Sequence, residues 1–395
     1  MTRRRTLPFD YAVRNLARRP LRTSLTAASS ALVAALFVAT GAFVQGLSSS
    51  FTSAGRDDVA ILLSRVSESD VLRSTVPPAL AELVAAEVRG IARPGGIAAV
   101  SPEIHSGTNL RLGDEPAAGE LDPSYPAFVR GVTESAFLVH DAVTLVDGHL
   151  PGPSEVLVGR LVPQQLGLDP AAFGIGCKLR FEGGTFTVAG TFAAPGTTIE
   201  SEIFAPLTDL RSLSRREDAS AVFVRLASPD DFGELELFAR RRLDLELNAI
   251  PSTLYYQELG AYFRPIRALA WVLALMMGGA ALFGGANTLN AAVQDRVREL
   301  ATLRAMGYRQ IALAWSLLQE SVVLASAGGL LGLMLARMAL SGAAVRIAMG
   351  AFTLSIGPEA VLAGFGAALG LGILATIPAV VRVARLPVAV ALKEP

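Results

Sequence analysis

Three observations predict an α-helical membrane protein with four transmembrane helices and a large extracytoplasmic mixed α/β domain inserted between helices 1 and 2. Four apolar runs each reach the roughly 20 residues needed to cross a hydrocarbon core of about 30 Å. The charges are sorted: Ser48 to Phe263 holds 29 acidic and 17 basic residues, and the rest of the chain 6 and 18. The arginines outside the acidic block gather on alternate connections between the apolar runs. A uniform water-soluble globule does none of this. Charged residues are 18% of the chain, below the roughly 25% of ordinary soluble domains, and the mean hydropathy is +0.45.

Residues 1–22 carry seven arginines (Arg3, Arg4, Arg5, Arg14, Arg18, Arg19 and Arg22) and read as a cytoplasmic amphipathic helix. The apolar run behind them is longer than a signal-peptide core, and no small-x-small cleavage site follows it. It is therefore read as a retained span, residues 23–47, with its apolar heart at Leu25–Leu47. The acidic domain occupies 48–263. The second span is 264–290, followed by a basic connection at 291–310. The third is 311–337 and carries Glu320 without an evident partner charge. A short outer loop (338–359), the fourth span (360–381, interrupted by Pro378) and a cytoplasmic tail (382–395) complete the chain.

Direction follows from arginine and lysine near the span ends. The leader, the connection with Arg296, Arg298, Arg304 and Arg309, and the tail with Arg382, Arg385 and Lys393 fall on one side, the cytoplasmic one. The acidic domain is then outside. Trp271 and Trp315 suit an interfacial belt or a packing role equally. Ala27, Ala31, Ala35 and Ala39 in span one, Gly328 and Gly332 in span three, and Gly366 and Gly370 in span four recur at helix-packing spacing.

Within the acidic domain, Pro78–Val88 has helical spacing, with Leu80, Leu83, Val84 and Val88 on one face. Thr185–Phe192 alternates behind the Glu182-Gly-Gly184 turn, which puts Phe186, Val188 and Phe192 on one face of a strand. Ala221–Leu226 is a second strand. Ser228-Pro-Asp-Asp231 caps a helix expected to run to about Leu247. His105, His140 and His149 lack metal-ligand spacing, and Cys177, the one cysteine, can form no internal disulfide. The carboxylates read as a solvated acidic surface, so no catalytic site is expected.

In the connection after span two, Val293, Val297, Leu300 and Arg304 share one face of a short helix that Gly307 can end in the left-handed conformation. Pattern alone allows a topology anchor or a helix gripped by a partner. The segment resembles the R-x-R-E-[IL]-x-x-L-R-A-x-G signature of FtsX/MacB-type permeases of ABC transporters. Arg296, Arg298, Glu299, Leu300, Leu303, Arg304, Ala305 and Gly307 fall on it, and Ala301 stands where Gly is usual. Gln319-Glu320, Gly328–Gly332, Ala12–Leu16, Pro20–Thr26, Ile377–Ala379 and Leu386–Leu392 resemble the family's other segments. In the outer domain, Gly131-Val132, Gly148–Pro151, Glu155–Gly159, Leu166–Leu168, Gly176–Leu179 and Phe186–Gly190 resemble a MacB-like core domain.

The resemblance implies a permease subunit of the mechanotransmission type in a bacterial inner membrane. Its inner helix, with Val293, Arg296, Val297, Arg298, Glu299, Leu300, Leu303, Arg304, Ala305 and Gly307 as partner-binding residues, would couple to an ABC ATPase. ATP and Mg would sit in that partner, because neither Lys178 nor Lys393 follows a glycine as a phosphate-binding loop requires. No cofactor and no nucleic acid are implied. A homodimer or paired permease heterodimer in membrane lipid is, and a periplasmic adaptor is compatible with it. The rivals are FtsX-like signalling to a cell-wall hydrolase and a ligand-sensing receptor without an ATPase.

Overall fold

The computed structural model describes residues 14, 16, 18, 20–67, 69–116, 121–347 and 350–385. Most of the expected N-terminal amphipathic helix, and the tail motif at Leu386–Leu392, lie outside them. The described chain forms two compact units. One comprises residues up to Gln45, Pro265–Ala343 and Leu354 onward; the other comprises Gly46–Arg264 and Ala344–Thr353.

The elements, in chain order, begin with α1 (Pro20–Thr52), β1 (Val59–Ser64), α2 (Leu80–Glu87), β2 (Val100–Leu112) and β3 (Tyr125–Val132). Then come α3 (Ala136–Val139), β4 (Thr144–Gly148), β5 (Glu155–Gly159), α4 (Val162–Leu166), β6 (Lys178–Phe181), β7 (Gly184–Ala193) and β8 (Ile203–Pro206). They continue with α5 (Leu207–Ser214), β9 (Ala221–Arg225), α6 (Phe232–Arg241), β10 (Leu247–Pro251), α7 (Ser252–Ala261), α8 (Arg264–Gln294) and α9 (Val297–Ala305). Last are α10 (Gln310–Leu340), β11 (Ala344–Ile347), β12 (Gly350–Thr353) and α11 (Pro358–Ala384).

Four of these helices, α1, α8, α10 and α11, are long and apolar enough to cross a membrane. Each contains one of the expected spans and extends beyond it at one or both ends, because a helix keeps its internal hydrogen bonds on leaving the hydrocarbon. Two of the proposed small-residue faces are contacts. A Cβ on Gly328 or Gly332 of α10 would overlap the carbonyl oxygen of Ala27 or Ala31 in α1, so glycine sets how closely those helices approach. Gly366 and Gly370 have open space instead, and in α11 it is Gly364 that lies against Val38 of α1. The spacing rule found the right helices but, in α11, the wrong face.

In the α/β unit the strand order is β10-β1-β9-β2-β3-β8-β5-β7-β4, with β6 pairing both β2 and β7. β3–β8 and β5–β7 are parallel pairs. The long β2 changes partner along its length: Val100–Glu103 lies against β9, Ile104–Leu110 against β3. It thereby passes from a core around Leu62, Leu80, Val222 and Phe238 to one around Ile104, Val129, Val156 and Phe186. β1 is apolar at almost every position because both its faces are covered, Ala60 and Leu62 by one cluster and Val59, Ile61 and Leu63 by another.

Three sequence expectations need correction. Phe192 does not share a face with Phe186 and Val188. The β5–β7 register shifts between Val156 and Leu157, and a bulge of one residue inverts the alternation beyond it. Phe192 therefore packs with Leu157 and Phe204. The helix capped by Ser228 forms, with the reciprocal Ser228–Asp231 capping box, but α6 stops at Arg241. Arg242 is bonded to Asp244, Glu246 takes φ +46°, and Leu247 starts β10 instead. The connection at 338–359 is more than a loop: β11 and β12 pair antiparallel and belong to the α/β unit, where Ala351 and Phe352 are buried.

Candidate functional site

The partner-binding residues inferred from sequence lie in and beside α9, in the membrane unit. α8 ends at Gln294, and Arg296 (φ −119°, ψ 15°) breaks the helical path before α9 starts. At the other end Gly307, at φ +95°, permits a double cap: its N–H donates to the Arg304 carbonyl (3.0 Å) and the Tyr308 N–H to that of Leu303 (3.1 Å). This is the left-handed stop expected of that glycine.

The apolar face of α9 is already covered by the chain itself. Leu300 and Ala301 are buried, and Leu300 packs with Val293, Leu313, Leu317, Ala375 and Val383, with Leu303 partly buried beside them. Val293 and Leu300 thus hold α9 onto the membrane helices and are not open to a partner. The exposed face carries Arg298, Glu299, Thr302, Ala305, Met306 and Gly307, with Val297 and Arg304 half-buried at its margins.

Arg296 moves furthest from its expected role. It is 7% exposed, and its Nη1 donates to both oxygens of Glu320 at 3.2 and 3.3 Å. Glu320, 5% exposed, was expected to lack a partner charge. The pairing escaped sequence reading because Arg296 lies beyond the apolar run of span two, and only the turn before α9 folds it back against α10. Nearby, Arg382 of α11 donates to Asn290 Oδ1 of α8 at 2.8 Å. Between α1, α8, α10 and α11 lies a cavity of about 390 Å³. Its polar side chains are the hydroxyls of Thr26, Ser29, Ser30, Thr288 and Ser321.

A second cluster occupies the α/β unit, and sequence reading missed it. Glu103 and His105 stand two apart on β2 and so point the same way. The Glu103 carboxylate, fully buried, accepts from His105 Nε2–H (3.1 Å), His140 Nε2–H (2.7 Å) and Arg130 Nη1–H (2.9 Å). Arg130 also donates from Nε and Nη2 to the two oxygens of Glu202 (2.6 and 2.9 Å), a bidentate pair. Its guanidinium lies 5.7 Å from the ring centres of both Phe204 and Phe223. The carboxylates are thus not all a solvated surface: Glu103, Glu200 and Glu202 are buried. Glu103-Ile-His105, two titratable residues at strand spacing about one apolar residue, was the available signal.

Burial would raise the Glu103 carboxyl, but His140, Arg130 and the hydrogen bonds of both histidines hold it well below the usual carboxylate range. Burial, with Arg130 adding to it, lowers His105 and keeps it neutral. Burial pushes Tyr256 up to about 12. The charged groups of Glu103, Arg130 and Glu202 are spent on one another, so the arrangement fixes structure. Among the described residues no group of three or more His, Cys, Asp or Glu side chains has a metal-binding arrangement. His149 bonds Glu155 (3.1 Å) at the surface and Cys177 is half-buried.

Comparison with known proteins bears on both units. Residues 23–236 match the family described as MacB-like periplasmic core domain, and residues 271–388 match FtsX-like permease C-terminal. Among solved structures, the periplasmic region of MacB from Actinobacillus actinomycetemcomitans is similar at 14% identity and a TM-score of 0.38, covering 52% of this chain and 94% of that one. The extracellular domain of the noncanonic ABC-type transporter YknZ from Gram-positive bacteria is similar at 14% identity and a TM-score of 0.36, covering 49% and 99%. The comparison with curated proteins gives no match.

Two outcomes follow from the geometry. Glu320→Leu strands a buried guanidinium and should cost about 3–5 kcal/mol, whereas Arg296→Met with Glu320→Leu should recover most of it. Thermal unfolding of the full chain in detergent measures both, and a double variant no better than Glu320→Leu would show that the pair is not what matters. In the α/β unit, His105 and Glu103 have folded pKa values below their ordinary 6.5 and 4.5, so the unfolded chain binds protons first as pH falls. Their stabilisation is complete above about 6.5 and is lost as pH drops through the folded values. The melting temperature should fall from pH 7 toward pH 4, and His105→Gln should flatten the upper part of that slope.

Proposed function

We propose, from the premise that the chain belongs to the FtsX-like permeases with a MacB-like periplasmic core domain, that it is the membrane subunit of a mechanotransmission-type ABC transporter. The observation that carries this reading is the two-sidedness of α9. Its apolar side is seated on the membrane helices, and its polar side, with Arg298, Glu299 and Thr302, is exposed, as is Met306 just beyond its end. A helix that served only to hold topology would need charge near the span ends but no such presented face.

In this reading a separate ATPase binds ATP and Mg and grips the outer face of α9. Because Leu300 and Ala301 are packed into the helices, a push on α9 is delivered to α8, α10 and α11 as one body. The membrane helices pass it on to the α/β domain, which acts on a substrate outside. The apolar cavity of the bundle and the scarcity of charge within it favour this over a polar route through the membrane. Both termini and α9 are cytoplasmic, the membrane is the bacterial inner one, and two permease chains pair.

The burial of Leu300 changes which substitutions test the coupling. Arg298→Glu and Met306→Asp, on the exposed face, should lower recovery of the co-expressed ATPase about tenfold, equivalent to about 1.4 kcal/mol, at normal membrane levels. Leu300→Ala should lower the stability of the permease itself, by about 2–5 kcal/mol. Unchanged ATPase recovery in both outer-face variants would sink the coupling reading. For topology, single cysteines replacing Thr302 and Ile97, both exposed, are placed in a Cys177→Ser background. They should react with an impermeant reagent from opposite sides of the membrane, and labelling from one side contradicts the proposed orientation.

A further inference from the structure

The β11–β12 ribbon stands between α10 and α11 in the chain, yet it is built into the α/β unit. The chain passes between the two units at 45/46, 264/265, 343/344 and 353/354. The first two crossings are those of a domain inserted between two spans. The last two belong to the ribbon alone and give the domain a second pair of covalent connections to membrane helices.

The ribbon is seated at three places within its unit. Phe352 is 4% exposed, and its ring fits against Gly46 of α1, where a Cβ would approach it to 3.0 Å. Gly350 lies beside Ser201, in the turn that precedes β8. The Arg346 guanidinium rests on Gly167, the left-handed residue (φ +69°) that ends α4, in the space that any side chain there would fill. At the base, the Leu354 N–H donates to the Ala343 carbonyl at 2.9 Å and closes the ribbon where it leaves the helices. A plain surface loop needs none of these.

We propose that the β11–β12 ribbon is a second mechanical link, through which displacement of α10 and α11 is delivered to α4 and the turn at 198–201, with Phe352 and Arg346 as positioning residues. This rests on the coupling reading above and deepens it: the domain is driven from all four membrane helices. Two paired strands held at three points transmit displacement, whereas a flexible connection of equal length absorbs it.

The test uses the full chain assembled with its ATPase. Gly/Ser inserts of about six residues after Gly342 and after Leu354 make both connections flexible and leave the ribbon and its base intact. Hydrogen exchange is compared between the nucleotide-free complex and the complex trapped with ATP and vanadate. In the wild type, trapping should change exchange about fivefold or more in both α9 and α4, by altering local opening. In the insert variant the α9 response should persist, the α4 response should fall below about half, and the melting temperature should hold. Phe352→Ala should act in the same direction, and Arg346→Ala, at an exposed residue, serves if Phe352→Ala lowers the melting temperature. A wild-type α4 response in both the insert variant and Arg346→Ala overturns the link. So does a wild type in which α9 responds and α4 does not. A wild type whose α9 ignores trapping with the ATPase bound removes the coupling reading, and the link with it.

Discussion

Removing a carboxylate and a guanidinium from water costs several kcal/mol for each ion, and the loss is offset only when the two face each other at bonding distance. Arg296 and Glu320 meet that condition with both side chains buried. The residues on either side of Arg296 have little freedom as a consequence. The turn between Gln294 and Val297 must bring it back toward α10, and α9 must then start with its Leu300–Ala301 side against Leu313 and Leu317. Once that side is fixed, 3.6 residues per turn send Arg298, Glu299, Thr302 and Ala305 outward. The exposed face of α9 is therefore a consequence of a contact made on its opposite side.

The α/β domain solves a related problem with a larger set of groups. β2 changes pairing partner after Glu103, where two cores meet, and apolar packing alone specifies poorly which residue stands at such a junction. Glu103, His105, Arg130, His140 and Glu202 specify it by chemistry. Arg130 spends three of its N–H groups on two carboxylates, and Glu103 receives two imidazoles and that guanidinium. The low polarity around Phe204 and Phe223 strengthens these bonds and makes any single loss more damaging. His105 stays neutral because burial and Arg130 together outweigh its carboxylate neighbours.

Sequence reading located what depends on composition and period. The four apolar runs, the helix cap at Ser228 and the left-handed stop at Gly307 are local signals, and each is where the residues placed it. What it missed depends on contacts distant in sequence. Phe192 changed face because of one extra residue in β7, which no alternation pattern announces. Gly364 rather than Gly366 met α1, because helix rotation is set by all the packing partners together. The ribbon at 344–353 is two short strands whose seats are far away in sequence: Phe352 meets Gly46, Arg346 meets Gly167 and Gly350 lies beside Ser201. For α9, the pattern announced a short helix that forms, but a one-dimensional pattern cannot say whether an apolar stripe awaits a partner or is already covered.

The choice of an ion pair at the root of α9, where leucine and methionine would often give equal or greater stability, has a geometric rationale. Apolar contact between helices tolerates rotation and sliding, since one aliphatic side chain replaces another along the surface at modest cost. An α9 held only by Leu300 and Leu303 could tilt or turn under load and still keep much of its buried area. The Arg296 guanidinium reaches both oxygens of Glu320 through one nitrogen, and moving it away leaves two uncompensated charges in a poorly hydrated site. Adhesion and register are thus separate jobs here: Leu300 and its neighbours supply the first, Arg296 and Glu320 the second. In the proposed coupling to an ATPase, register would decide whether a push on the outer face moves α9 across the bundle or moves the bundle with it.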